Sequence, residues 1–218
     1  MQSTNIRQFE FAGFIVLRGV IPPEIVEDVY NRSILLKKKY EHREGEIRHN
    51  GSGSFWKGLE LASTLDPNLW KSYTHQFMYD IAKEFLETEP YLFNDQIVVK
   101  MPGESFGFDP HWDNQYGPDP EGARENKFKT INCAWSLVDM DENNGQLRAL
   151  HKSLNTWHDI PTEQGDIVIM DGNTLHASSQ NSSNSPRPLY ACVYSSKPLG
   201  DFQKGFYNEK FSESLQNY

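Results

Sequence analysis

The stretch GDIVIMDGNTLHASSQNSSNSPRPLYACVYS, residues 165–195, decides how the rest of the chain is read. It opens on a β-branched run, Gly165–Asp171, and stops at the turn signal Asp171-Gly172-Asn173. A turn-rich segment from Gln180 to Pro186 follows, then the apolar run Leu189–Ser195. Short Ile, Val and aromatic runs bounded by Gly, Asn, Asp and Pro are the pattern of strands joined by tight turns. The texture extends back to Pro90, with Asp95–Met101 and Lys129–Val138 as further strands. Pro102-Gly103, Gly117-Pro118-Asp119-Pro120 and Asn143-Asn144-Gly145 mark the turns between them. Many short strands of this kind predict a β-sandwich or double-sheet jelly roll over residues 91–200.

Upstream the texture is mixed. Phe11–Gly19 (FAGFIVLRG) predicts a strand between glycines. After Pro22-Pro23, Ile25, Val29 and Leu36 recur near helical spacing and predict a helix over Glu24–Tyr40. Lys37, Lys38 and Lys39 read as its solvated end, where cations suit the helix dipole. Leu69, Tyr73, Phe77, Ile81 and Phe85 step by four and predict an amphipathic helix over Leu69–Leu86. Glu44–Phe55 is rich in Gly, Ser, Asn and charge and reads as a mobile loop, a candidate lid flanked by His49 and Trp56. The expected organisation is one domain over 1–218: an N-terminal strand and helices (1–90) packed on the β core (91–200), then a polar tail (201–218).

Composition narrows the function. Lys plus Arg is 21 against 30 Asp plus Glu, a net charge of −9, which argues against a nucleic-acid binder. Two cysteines, Cys133 and Cys192, exclude a disulfide scaffold and a Cys-rich metal site. No apolar run approaches the roughly 18 residues needed to span a bilayer, and Met1–Arg7 shows no secretory signal. A soluble cytoplasmic protein without a membrane partner is expected. Nothing in the sequence reports the oligomeric state.

The chemistry gathers around Phe108-Asp109-Pro110-His111-Trp112-Asp113. In a strand, residues i and i+2 share a face, so His111 and Asp113 would present an imidazole and a carboxylate side by side. His176, just after the strand Gly165–Asp171, supplies a third candidate ligand. Two histidines and one carboxylate form the facial triad of non-haem Fe(II) oxygenases, which leaves coordination positions open. Arg187 follows His176 by eleven residues, across a turn that returns it beside the strand carrying His176. An arginine there can clamp a carboxylate through two parallel hydrogen bonds, and Ser178 shares a face with His176 as a second donor.

These segments resemble the phytanoyl-CoA dioxygenase family of Fe(II)- and 2-oxoglutarate-dependent oxygenases. Residues 11–30 (FAGFIVLRGVIPPEIVEDVY) are similar to the family's opening strand and helix, and His111-Trp112-Asp113 to its proximal iron motif. Trp135–Leu147 is similar to its strand ending in an Asn-Gly turn, and Gly165–Asp171 with His176, Ser178, Asn181 and Arg187 to its distal half. Where the family usually carries Gly-Ser-His, this chain has Arg148–Leu154. The resemblance implies a double-stranded β-helix core with flanking helices and Fe(II) on His111, Asp113 and His176. It implies 2-oxoglutarate held by Arg187 and Ser178, with Phe108 lining its pocket. The implied reaction consumes O2, converts 2-oxoglutarate to succinate and CO2, and hydroxylates a small molecule. A carboxylate at Asp113, where a halogenase has Gly or Ala, favours hydroxylation over halogenation.

Further positions are candidates only. Thr130 and Lys100 are candidates to face the cosubstrate, the alternative for Lys100 being a charge at a strand edge. Trp112, Asn114, Gln115, Asn132 and Trp135 are candidates to line the substrate pocket; core packing is the alternative for Trp112 and Trp135. His42, His49, His75, His151 and His158 read as surface or loop residues. Two other functions compete. A metal-binding cupin-type isomerase or lyase leaves Arg187 and Ser178 without a role. A carbohydrate-binding β-sandwich using Trp56, Trp70, Trp112, Trp135 and Trp157 makes the metal ligands a coincidence.

Overall fold

The computed structural model describes residues 2–40, 58–60, 62–69, 76–117 and 119–199. The expectations for the loop 44–55, the tail 201–218 and His42, His49, Trp56, Trp70 and His75 lie outside these residues.

Two facing antiparallel sheets form a double-stranded β-helix. The larger contains β1 (Phe14–Leu17), β2 (Leu59–Glu60), β3 (Tyr91–Lys100), β5 (Thr130–Ser136), β8 (Ile167–Asp171) and β10 (Arg187–Ser195), in the order β1-β8-β5-β10-β3-β2. The smaller contains β4 (Phe108–His111), β6 (Leu147–Leu150), β7 (Trp157–Ile160) and β9 (His176–Ser178), in the order β4-β9-β6-β7. Helices α1 (Gln2–Ala12), α2 (Pro23–Tyr40), α3 (Ala62–Leu65), α4 (Gln76–Leu86) and α5 (Pro120–Arg124) complete the described elements.

Side-chain alternation gives the larger sheet two different faces. On β10, Tyr190, Cys192 and Tyr194 join Cys133, Trp135, Ile167 and Ile169 in a core that also takes Val26, Val29, Met78 and Phe85 from the helices. The opposite face presents Ala134, Val168, Met170, Leu189 and Ala191 to the smaller sheet. Because β10 is covered on both faces, all nine of its residues are buried, and it reads as an apolar run rather than an alternating one. One buried carboxylate, Asp95, is satisfied from three sides: by the Ser63 amide at 2.9 Å, the Ser63 hydroxyl at 3.0 Å and the Tyr190 hydroxyl at 2.8 Å.

Several expectations are corrected. The strand read over Phe11–Gly19 is the end of α1 followed by a four-residue strand, Phe14–Leu17. Gly13 breaks the helix at φ +83°, and Phe9 docks α1 against Phe85 of α4 with ring centroids 5.1 Å apart. That docking is tertiary, and the polar sequence of α1 does not announce it. Within the predicted helix Leu69–Leu86, Leu69 belongs to a separate 3-10 turn, Pro67–Leu69, and α4 is described from Gln76. Lys37 is no solvated helix end: it is buried and pairs with Glu104 at 3.0 Å. The strands β6 and β7 went unpredicted, because four residues are too few for periodicity to register.

Candidate active site

The smaller sheet brings the two histidines together. In the β4–β9 register Phe108 faces Ser178 and His111 faces His176, which sets the imidazole rings 4.3 Å apart between centroids. Asp113 lies beyond the end of β4, not on it, and opens a 3-10 turn over Asp113–Tyr116. Trp112 between them is extended, at φ −124° and ψ 140°, so the alternation runs one residue past the strand and Asp113 still turns toward the histidines. One ligand atom from each of His111, Asp113 and His176 lies within 4.8 Å of the others.

A polar network locks this loop to the β8–β9 turn. The Asn114 amide donates to the Gly172 carbonyl at 3.0 Å, and its side-chain nitrogen donates to Asn173 Oδ1 at 3.0 Å. The Thr130 hydroxyl donates to Asn114 Oδ1 at 2.6 Å, and Asn173 Nδ2 reaches the Ala123 carbonyl of α5 at 3.1 Å. Asn114 and Thr130 therefore position the metal loop and do not line the cavity.

Backbone carbonyls fix the tautomer of both histidines. His111 Nδ1 lies 2.7 Å from the Asp109 carbonyl and His176 Nδ1 lies 3.0 Å from the Thr174 carbonyl. A carbonyl only accepts, so each Nδ1 carries the proton and each Nε2 keeps its lone pair for a metal. Burial, then the charge of His176, hold the His111 pKa below its ordinary value, against the pull of Asp113, and so favour the neutral, ligating form.

The cavity continues from these three side chains past Phe108, Val98, Met170 and Leu189 to Arg187 and Ser178, an open-mouthed space of about 460 Å³ that includes solvent at its mouth. Arg187 is 1% exposed, and burial lowers its pKa to about 10. One guanidinium nitrogen donates to the Gly145 carbonyl, while its Nε finds no partner. Lys100 is neither a strand-edge charge nor a cavity wall. It is buried behind Ser178, donating to the Ser178 hydroxyl at 2.7 Å and to the Ser179 carbonyl, and its ammonium lies 5.6 Å from the Phe108 ring centroid. No carboxylate among the described residues pairs with either basic side chain. A buried guanidinium without a counter-charge is costly, so the Arg187 end of the cavity calls for an anion.

The other sequence candidates separate. Asn132 lines the cavity, and its Nδ2 donates to Asp113 Oδ2 at 2.8 Å. Trp135, one pleat out of phase on the same strand, packs in the helix-side core against Tyr190, ring centroids 5.5 Å apart. Trp112 faces away from the cavity and stacks under Arg124, 5.5 Å from the ring centroid, and Gln115 does not line the cavity either. The Trp135 position removes one platform of the carbohydrate-binding alternative. His151 is buried, with the His158 ring tilted against it, centroids 5.1 Å apart. Sequence reading missed Gly145, although the Asn-Gly turn that contains it was visible: its carbonyl accepts from Arg187 and its φ is +80°.

The chain belongs to the phytanoyl-CoA dioxygenase (PhyH) family, whose model matches residues 9–189. Together with the triad, this places it among the iron- and 2-oxoglutarate-dependent enzymes. No curated protein sequence matches the chain. Solved structures share the fold. The epimerase SnoN in complex with Fe3+, alpha ketoglutarate and nogalamycin RO is 17% identical, with 93% of this chain and 88% of that one covered at a TM-score of 0.74. The carbocyclase SnoK from nogalamycin biosynthesis is 18% identical, with 89% and 84% covered at a TM-score of 0.74. EctD from S. alaskensis with 2-oxoglutarate and 5-hydroxyectoine is 16% identical, with 89% and 76% covered at a TM-score of 0.73. No described helix is long and apolar enough to cross a membrane.

Proposed function

We propose that this enzyme hydroxylates a small-molecule substrate while converting 2-oxoglutarate to succinate and CO2. The observation that carries the reading is one cavity with a His-Asp-His set at one end and the buried, carboxylate-free Arg187 at the other. Ferrous iron held by His111, Asp113 and His176 would supply the activation of O2 and the oxidation of a C–H bond. The preset Nε2 atoms, the carboxylate of Asp113 and the partnerless Arg187 Nε all fit that metal and a dicarboxylate.

Each residue then has a task. Arg187 and Ser178 bind the distal carboxylate of 2-oxoglutarate by charge-assisted hydrogen bonds, and Lys100 acts on it from behind through Ser178. Phe108, Val98 and Leu189 exclude water from its methylenes. Asp113 occupies a position that halogenation needs vacant, so its presence supports hydroxylation. A non-oxygenase isomerase or lyase gives the buried Arg187 nothing to do.

A succinate-release assay with Fe(II), ascorbate and a metabolite panel tests the reading, with 18O2 label sought in the product. Succinate formed in step with labelled product is expected. Absence of 2-oxoglutarate consumption under all these conditions overturns the reading, and unlabelled product overturns hydroxylation.

A further inference from the structure

Asn132 holds a position that the tasks above do not use. It is 3% exposed, and its side chain points into the cavity beside the metal-binding set. A carboxylate oxygen only accepts, so the contact to Asp113 Oδ2 at 2.8 Å fixes which end of the amide is nitrogen. Its carbonyl oxygen is then turned elsewhere, buried and without a hydrogen-bond donor. The residues opposite it on the neighbouring strands, Met170 and Val193, carry no side-chain donor. On its own strand, the Thr130 hydroxyl is committed to Asn114. The other oxygen of Asp113, Oδ1, is the one facing His176 Nε2, at 3.7 Å.

A carboxylate oxygen held by a buried amide is not free to swing toward a metal. The amide nitrogen here holds one oxygen of Asp113 while the other faces the histidine. We propose that Asn132 is a positioning residue of the metal centre. It confines Asp113 to ligation through Oδ1 alone, because Oδ2 is held by the amide nitrogen. The inference rests on the metal reading of the proposed function. It adds to it a determinant of ligand number: a carboxylate free to swing would take two coordination positions, and the amide keeps one of them for water.

Co(II) binding to the full-length protein, followed by calorimetry and by visible d–d absorption, tests this without turnover. Asn132→Leu keeps the volume and removes both polar atoms; Asn132→Ser serves if the leucine variant does not fold. Either is expected to weaken Co(II) binding about 10- to 100-fold and to change the d–d spectrum by changing the number of ligands. A purely structural role would lower the melting temperature of the metal-free protein and leave the spectrum of the loaded protein unchanged. Binding within twofold of the parent with the same spectrum overturns the inference and leaves the metal reading intact. A parent protein that binds no Co(II) overturns both.

Discussion

Lys100 lies directly opposite Arg187 in the register of β3 and β10, so two buried basic side chains stand together, Arg187 on the cavity wall and Lys100 behind Ser178. Burial, reinforced by the neighbouring Arg187, lowers the Lys100 pKa to about 6. Near pH 7 the lysine of the ligand-free protein is therefore mostly neutral, and a carboxylate arriving on Arg187 and Ser178 restores its proton.

The pH dependence follows from this sign. Between the folded pKa of about 6 and the ordinary lysine value of 10.5, the unfolded chain holds the proton and the folded chain does not. The contribution of Lys100 to stability thus rises with pH across that window, by up to about 1.4 kcal/mol per pH unit, and is flat below it. Melting of the ligand-free protein at several pH values checks this, and Lys100→Met is expected to remove the slope. Titration of 2-oxoglutarate in buffers of different ionisation enthalpy is expected to show proton uptake near pH 7.5, absent in the same variant. Equal proton uptake in parent and variant would exclude Lys100 as the group.

Arg187→Ala removes a buried charge-assisted anchor worth about 1.5–3 kcal/mol. The 2-oxoglutarate KM is expected to rise by roughly 10- to 150-fold, with metal binding retained. An unchanged KM would place the carboxylate anchor elsewhere.

His111→Ala and His176→Ala each remove one of the three proposed metal ligands. Both are expected to abolish succinate formation and to lose stoichiometric iron by metal analysis. Near-native activity in both would remove the metal centre from its assigned place.

Gly145→Ala places a Cβ where the φ is +80° and the Ser179 carbonyl oxygen would lie only 2.3 Å away. The carbonyl of Gly145 also holds Arg187. The substitution is expected to cost more than about 1 kcal/mol of stability and to raise the 2-oxoglutarate KM, since the displaced turn carries the guanidinium with it. A lowered melting temperature with an unaltered KM would separate the turn from the anchor.

Much of this was legible in the chain. His111, Asp113, His176, Ser178 and Arg187 carry spacings that strand geometry converts into proximity, because alternation and turn length act over a few residues. The long strands β3, β5, β8 and β10 were legible for the same reason, with boundaries displaced by a few residues. The short strands β6 and β7 were not, since four residues hold no measurable period.

Which face a residue takes is decided only when sheets and helices pack. Asn132 and Trp135 read alike as pocket candidates on one strand, yet a difference of three residues puts them on opposite faces, one in the cavity beside the His-Asp-His set and one in the core. Lys100 reads from sequence as a candidate edge charge near the end of its strand; it is buried because β10 pairs along that strand and Ser178 arrives from the other sheet. Local sequence thus determined the His-Asp-His pattern and the turns, whose physics is short-ranged. Tertiary structure alone decided burial, and with it the displaced pKa values and the unpaired acceptor of Asn132, because these depend on residues far apart in the chain.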